Sequence, residues 1–149
     1  MVLKNYADKL KRYFWFSNDE WKSFIIVTLS LGFIASFGEW GGQQFDLHTG
    51  VWNLIIAIVL IAITVFIHHS AQRMAALSLG LRAEQTFWWH GIIIGLALAV
   101  ISNGKIAFLA ATSPLATILP AHRLGAFRYG ANIATIGKIA LAGPAANIL

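Results

Sequence analysis

The fold is decided by the stretch Ile61–Gly80, which reads IAITVFIHHSAQRMAALSLG. A long apolar run here carries two adjacent histidines, His68 and His69, and Gln72 lies one helical turn after His68. Polar side chains this far into a membrane-length apolar helix are energetically costly, so by default they indicate a functional site. The stretch therefore predicts a transmembrane helix that carries a polar site.

The composition of the chain is typical of an integral membrane protein. Of its 149 residues, 58% are hydrophobic and only 11% are charged, and the mean hydropathy is +0.68. Soluble domains carry about 25% charged residues. The formal charge of +5 is attributed to basic residues on the cytoplasmic membrane face, and no nucleic-acid partner is expected. The sequence has no cysteine, which excludes disulfides, thiolate metal ligands and a cysteine nucleophile.

The N-terminal half predicts one interfacial segment and two membrane-spanning helices. Residues 1–16 are basic with apolar residues at helical spacing, which indicates an amphipathic helix on the membrane surface or a partly ordered basic tail. A capping box, Ser17–Glu20, begins a first transmembrane helix predicted over residues 18–40. A second is predicted over residues 51–79, with Gly80 as its C-terminal cap. The loop between them has no Lys or Arg, so it is expected outside, with the N-terminus in the cytoplasm.

The C-terminal half predicts a less regular part of the membrane domain, which as a whole covers residues 17–149. Residues 86–102 are apolar but just too short for the usual span, so they form either a short transmembrane helix or a re-entrant hairpin. Residues 104–130 predict extended, strand-like segments at the interface. A final helix is expected to start over 133–149, and its short apolar run suggests that the chain stops within it. The predicted fold class is an all-α polytopic membrane protein with a small strand or re-entrant region.

Two motifs in the sequence match the spacing of a known pair of motifs. The letters HHSAQ at 68–72, with Gly80 eight residues later, follow the pattern H-E-x-x-H-x7-G, and residues 137–147, GKIALAGPAAN, follow G-K-x-A-L-A-G-P-x-x-N. Together they resemble the site-2 protease family of intramembrane zinc metalloproteases, in particular its archaeal-type members. The resemblance covers roughly residues 17–149 and implies a site-2 protease-like transmembrane core that is truncated in its last helix.

The resemblance implies roles for four residues. His68 stands at the first zinc-ligand position, Gln72 replaces the second ligand histidine, and His69 replaces the glutamate that acts as general base. Asn147 matches an asparagine that lies near the substrate backbone in the family. The family's third zinc ligand, an aspartate, would lie beyond Leu149. One of the three expected ligands therefore remains, and neutral glutamine is a poor zinc ligand beside imidazole.

Three functions are consistent with this pattern. The first is a proteolytically inactive homologue without a cofactor, which binds membrane segments or partner subunits, while His68, His69 and Gln72 only hydrogen-bond within the helix bundle. The second is an active or rearranged-site intramembrane zinc metalloprotease, in which His90 or His122 helps to complete the metal site. The third is a structural subunit of a membrane complex. The lipid bilayer is a partner in all three.

Overall fold

The computed structural model describes residues 2–41, 44–118 and 132–148. In this part of the chain the structure is mostly helical, which confirms the prediction of a mainly α-helical protein. The described residues form five helices and two strands, in the order α1 (Val2–Tyr13), α2 (Asn18–Ser36), α3 (Leu47–Ser78), β1 (Leu81–Phe87), α4 (Trp89–Ile101), β2 (Thr112–Ile118) and α5 (Ile133–Ile148).

The longest helix is α3, and Asp46 caps its beginning. α3 has 32 residues and is about 48 Å long at 1.5 Å per residue. Among the described residues it is the one helix long and apolar enough to cross a membrane. Asp46 accepts the His48 N–H at 3.0 Å and the Thr49 hydroxyl at 2.5 Å, and the bond from Thr49 lowers the pKa of Asp46. Because of this cap the helix begins at residue 47, before the predicted start at residue 51.

The end of α3 is set by Gly80, as the sequence predicts. The Leu79 N–H donates to Ala75 O at 3.2 Å, and the Gly80 N–H donates to Leu77 O at 3.2 Å. Gly80 has a φ of 78°, a backbone conformation that glycine adopts without steric cost and that commonly terminates helices. The chain can therefore leave the helix axis here and enter β1 at Leu81.

The capping box at the start of α2 is confirmed. The Ser17 N–H donates to Glu20 Oε2 at 2.8 Å, and the Glu20 N–H donates to Ser17 Oγ at 3.3 Å. α2 ends at Ser36, before the predicted end at residue 40. The Phe37 N–H donates to Ile34 O at 3.4 Å, only three residues back, so the last turn tightens and the α-helical ladder stops.

The described chain contains two compact units. One consists of Trp21–Val65 and Thr86–Ser113, and in it α2 and α4 contribute to a shared apolar core. The buried members of that core are aliphatic or small: Val27, Leu31, Ile34, Ile92, Ala99 and Ala111.

α4 and the chain that follows it form a hairpin within this unit. A methyl group at Gly91 would collide with Ala110 O, and one at Gly95 would collide with Phe108 O. These two glycines therefore allow the returning backbone to lie directly on α4. The Trp88 N–H donates to Ala111 O at 2.7 Å. The start of α4 and the end of the chain that returns along it thus meet at the same end of the hairpin.

The other unit consists of Met1–Glu20, Phe66–Gln85 and Pro114–Leu149. β1 buries Leu81, Ala83 and Gln85 in strict alternation, and it pairs with β2 in a two-stranded sheet. No strand is predicted over 81–87, because Gln85 interrupts the alternation of apolar residues in LRAEQTF, and Ala and Glu have low strand propensity. It becomes a strand because one of its inward positions is a polar residue with buried partners. β2 lies within the predicted extended region 104–130, of which residues 119–130 lie outside the described part.

Candidate functional site

α3 and α5 bring three of the four predicted site residues together. His68 and Gln72 are four residues apart and therefore share one face of α3. The Gln72 Nε2 donates to Ala140 O of α5 at 3.2 Å. Two turns further along α5, the Asn147 Nδ2 lies 3.4 Å from the His68 Nδ1. The face of α3 that carries His68 and Gln72 thus contacts α5, the helix that contains the GPxxN segment.

Gly143 is what permits this close approach. It is buried on α5, and a methyl group built on it would collide with three atoms of the His68 imidazole. The imidazole therefore packs flat against α5 backbone where any other residue would displace it. Glycine is explained here by close helix packing.

The amide of Gln72 is hydrogen-bonded at both ends. Its Oε1 accepts the Gln85 Nε2 of β1 at 2.6 Å, and its Nε2 donates to Ala140 O. Gln72 and Gln85 are 4% and 3% exposed, and a buried amide needs such partners. Gln72 therefore links α3 to both β1 and α5.

A buried ion pair continues this network towards the N-terminus. The Arg73 Nη2 donates to Glu20 Oε1, and both side chains are almost fully buried. Glu20 Oε1 also accepts the Gln85 N–H at 3.2 Å. Arg73 and Gln72 are adjacent on α3, so the ion pair and the glutamine pair hold β1 from neighbouring positions.

Arg73 also fixes the chain between α1 and α2. Its Nη1 donates to Phe14 O at 3.0 Å and to Trp15 O at 2.6 Å. Its guanidinium carbon lies 4.3 Å from the centroid of the Phe16 ring, a cation–π arrangement. Both terminal nitrogens of the guanidinium thus donate to protein acceptors. A charge in the apolar helix α3 is therefore neutralised inside the protein.

His69, at the position of the family glutamate, lies on a different face of α3 from His68. The two ring centroids are 5.9 Å apart with an interplanar angle of 75°. His69 is only 5% exposed. Consecutive helical residues point about 100° apart, so His68 and His69 leave α3 in different directions.

The described residues do not bring together a full set of ligands for a catalytic zinc. Such a site needs three protein ligands and one open position. Of the two ligand positions on α3, the Gln72 amide oxygen accepts from Gln85 and its nitrogen donates to Ala140. Within the described residues, no group of three or more His, Asp or Glu side chains is placed to hold a metal ion. His90 is exposed on α4 in the other compact unit, and His122 lies outside the described residues.

No protein-family model matches this chain, and no curated protein or solved structure matches it either.

The sequence reasoning missed Glu20 and Gln85 as parts of this site. Glu20 is recognised in the sequence as a capping-box residue, and it performs that role as well. The available signal was the charge of Arg73, because a cation in an apolar helix needs a partner. Gln85 gave no local signal, because its partners come from two other elements.

Proposed function

We propose that this chain is a multi-pass integral membrane protein, with a site-2 protease-like core that binds transmembrane segments or partner subunits without cleaving them. The observation that carries the proposal is the double hydrogen bonding of Gln72. At the position of a family metal ligand, both amide atoms serve to join α3 with β1 and α5. His68 and Gln72, at the positions of family metal ligands, then serve as structural contacts within the protein.

The surface of α3 supports the membrane placement. In its most apolar 18-residue window only 11% of the residues are buried inside the chain. Large apolar side chains such as Ile56, Leu60 and Ile63 are each more than half exposed. Contiguous apolar surface of this extent needs lipid or another protein to cover it. We assign the covering to the bilayer and to membrane segments bound within it.

The proposed topology follows from α3 and the hairpin. We propose that α3, the one described helix that is long and apolar enough by itself, crosses the bilayer, and that α2, which has no charged residue after Lys22, crosses it too. The loop that joins them lacks Lys and Arg, which places the N-terminus in the cytoplasm in this proposal. The α4 hairpin enters and leaves on the cytoplasmic side, because its ends meet at Trp88 and Ala111. An irregular chain at membrane depth is tolerated when it is covered by protein, and the returning chain contacts α4 through Phe108 and Ala110.

The topology can be tested with single cysteines, because the natural chain has none. We expect His48→Cys and Ser78→Cys to react with a membrane-impermeant maleimide from opposite sides of sealed vesicles. We expect Ile63→Cys to stay unreactive, although Ile63 is 54% exposed in the isolated chain. Maleimide reacts with the charged thiolate form of cysteine, and the apolar interior of the bilayer disfavours that form. Labelling is read by a gel shift.

Reaction of His48→Cys and Ser78→Cys from the same side would contradict the spanning of α3. Rapid labelling of Ile63→Cys in intact vesicles would contradict its burial in lipid. Unfolding in sodium dodecyl sulfate and urea is the control, since all three thiols must then react.

The absence of proteolysis is tested on purified protein reconstituted in nanodiscs. We expect zinc well below one equivalent per chain, and no cleavage of fluorescent transmembrane peptides, because Gln72 and His69 do not supply the second ligand and the general base. We also expect at least one of these peptides to associate with the protein, measured by energy transfer. An active intramembrane zinc protease treated in parallel shows that the assay works.

Cleavage that 1,10-phenanthroline stops would overturn the proposal and establish the active metalloprotease instead. Absence of association with every peptide, together with isolation in a fixed complex, would favour the structural subunit.

A further inference from the structure

A groove lies between the C-terminal turn of α1 and the end of α3. It has a volume of about 400 Å³ and is lined by Leu10, Lys11, Phe14, Trp15 and Met74. The volume lies within the range of small-molecule sites. The surface that lines it is apolar throughout, so Lys11 contributes its methylene stem and not its ammonium group.

The walls of the groove are held in place by hydrogen bonds. The Tyr6 hydroxyl donates to Met74 O at 3.1 Å, which ties α1 to α3. Arg73 donates to the carbonyl groups of Phe14 and Trp15. The buried carboxylate of Glu20 fixes Arg73, and Arg73 in turn holds the chain at one side of the groove in place. The groove is therefore preformed, which lowers the entropic cost of binding.

Positive charge lies next to the groove, because Lys11 lines it and Arg12 follows Lys11 in the last turn of α1. α1 carries four basic residues and one acidic residue, Asp8. Two of the basic residues, Lys11 and Arg12, are in its last turn and exposed. Trp15 is 77% exposed beside them, and its indole N–H already donates to Lys11 O at 3.2 Å. An apolar groove next to two cations and an exposed tryptophan is complementary to a ligand with an apolar chain and an anionic head group.

We propose that this groove binds one anionic phospholipid, with an acyl chain against Leu10, Phe14 and Met74 and the phosphate at Lys11 and Arg12. A zwitterionic lipid would fill the groove equally well but would gain less from the two cations. An apolar peptide would leave the cations without a counter-charge. The inference rests on the membrane placement proposed above, but not on the state of the protease-like site.

The charge part is tested by native mass spectrometry of the delipidated full chain in detergent. Phosphatidylglycerol and phosphatidylcholine with identical acyl chains are titrated, and the first binding constant of each is compared. We expect tighter binding of phosphatidylglycerol, and a loss of about 30-fold in its affinity for Lys11→Gln/Arg12→Gln, from two cations near an anionic group. The matched control Lys105→Gln/Lys138→Gln removes two exposed cations elsewhere and should leave the affinity unchanged.

The groove part is tested by filling it. Met74→Trp should abolish tight binding of both lipids, because the indole occupies the space of the acyl chain, whereas Met74→Leu should retain it. If Met74→Trp does not fold, Leu10→Phe narrows the same groove from α1 and gives the same readout. Equal affinity of the natural chain for the two lipids, or unchanged binding to a folded groove-filling variant, would overturn the proposal. Binding in detergent requires no particular topology and no proteolysis assay, so failure here is distinguishable from failure of the proposed function.

Discussion

Replacing Arg73 with alanine is expected to lower the free energy of unfolding by about 3–5 kcal/mol, the usual cost of removing one partner of a buried ion pair. The substitution leaves the Glu20 carboxylate, only 5% exposed, without its cation. It also removes the donor to the carbonyl groups of Phe14 and Trp15. The measurement is unfolding in mixed micelles at increasing fractions of sodium dodecyl sulfate, followed by tryptophan fluorescence.

The matched control for this prediction is Arg82→Ala. Arg82 also pairs with a carboxylate, since its Nε lies 3.1 Å from Glu84 Oε1, but both side chains are about one-third exposed. Exposed pairs contribute about 0–1 kcal/mol, so Arg82→Ala should be nearly silent. Arg73→Lys keeps the charge but loses the planar fork, and it should fall between the two. Equal stability of Arg73→Ala and Arg82→Ala would show that the buried network does not hold this unit together.

Replacing Gly143 with alanine is expected to destabilise the protein by about 1–3 kcal/mol, as overpacking of a close contact does. The new methyl group would occupy the space of the His68 imidazole. The ring would have to turn away, and its contact with Asn147 would be lost. The same unfolding experiment measures the effect, and cross-linking between cysteines placed on α3 and α5 reports whether the helices separate.

Gly137 provides the control for Gly143 within the same helix. A methyl group at Gly137 meets nothing within 4 Å, so Gly137→Ala should only improve helix propensity, by about 0.5–1 kcal/mol. His68→Ala should relieve part of the cost of Gly143→Ala, because it removes the atoms that collide. The double variant is therefore expected to be less destabilised than the sum of the two single effects. Additive effects would mean that Gly143 does not contact His68.

The polar residues of α3 acquire a different meaning from these contacts. In the sequence they suggest a site that acts on something else, because polar groups in an apolar helix are costly. In the structure, Gln72 and Arg73 have protein partners on both sides. Their cost is offset within the fold, and they fix β1, α5 and the α1–α2 connection to one end of α3. We infer that the polar residues at i, i+4 and i+5 on α3 serve the assembly of this unit.

Local patterns in the sequence determined the elements whose causes are themselves local. The S-x-x-E letters predict the start of α2, because both hydrogen bonds of a capping box close within four residues. Gly80 predicts the end of α3, because the required backbone conformation is a property of one residue. The apolar composition predicts a mainly helical chain with a long apolar helix, since that signal is summed over many residues.

Tertiary structure alone decided the strand β1 and the partners of the polar residues. The run LRAEQTF has only a weak strand pattern, which Gln85 interrupts at an inward position. In the fold, Gln85 meets Gln72 and Glu20 there, which lie 13 and 65 residues away in sequence. The contact between His68 and Asn147 joins residues 79 apart. The physical reason is that a buried polar group takes whichever partner the folded chain brings within reach. The sequence shows that such groups need partners, and the fold determines which residues they are.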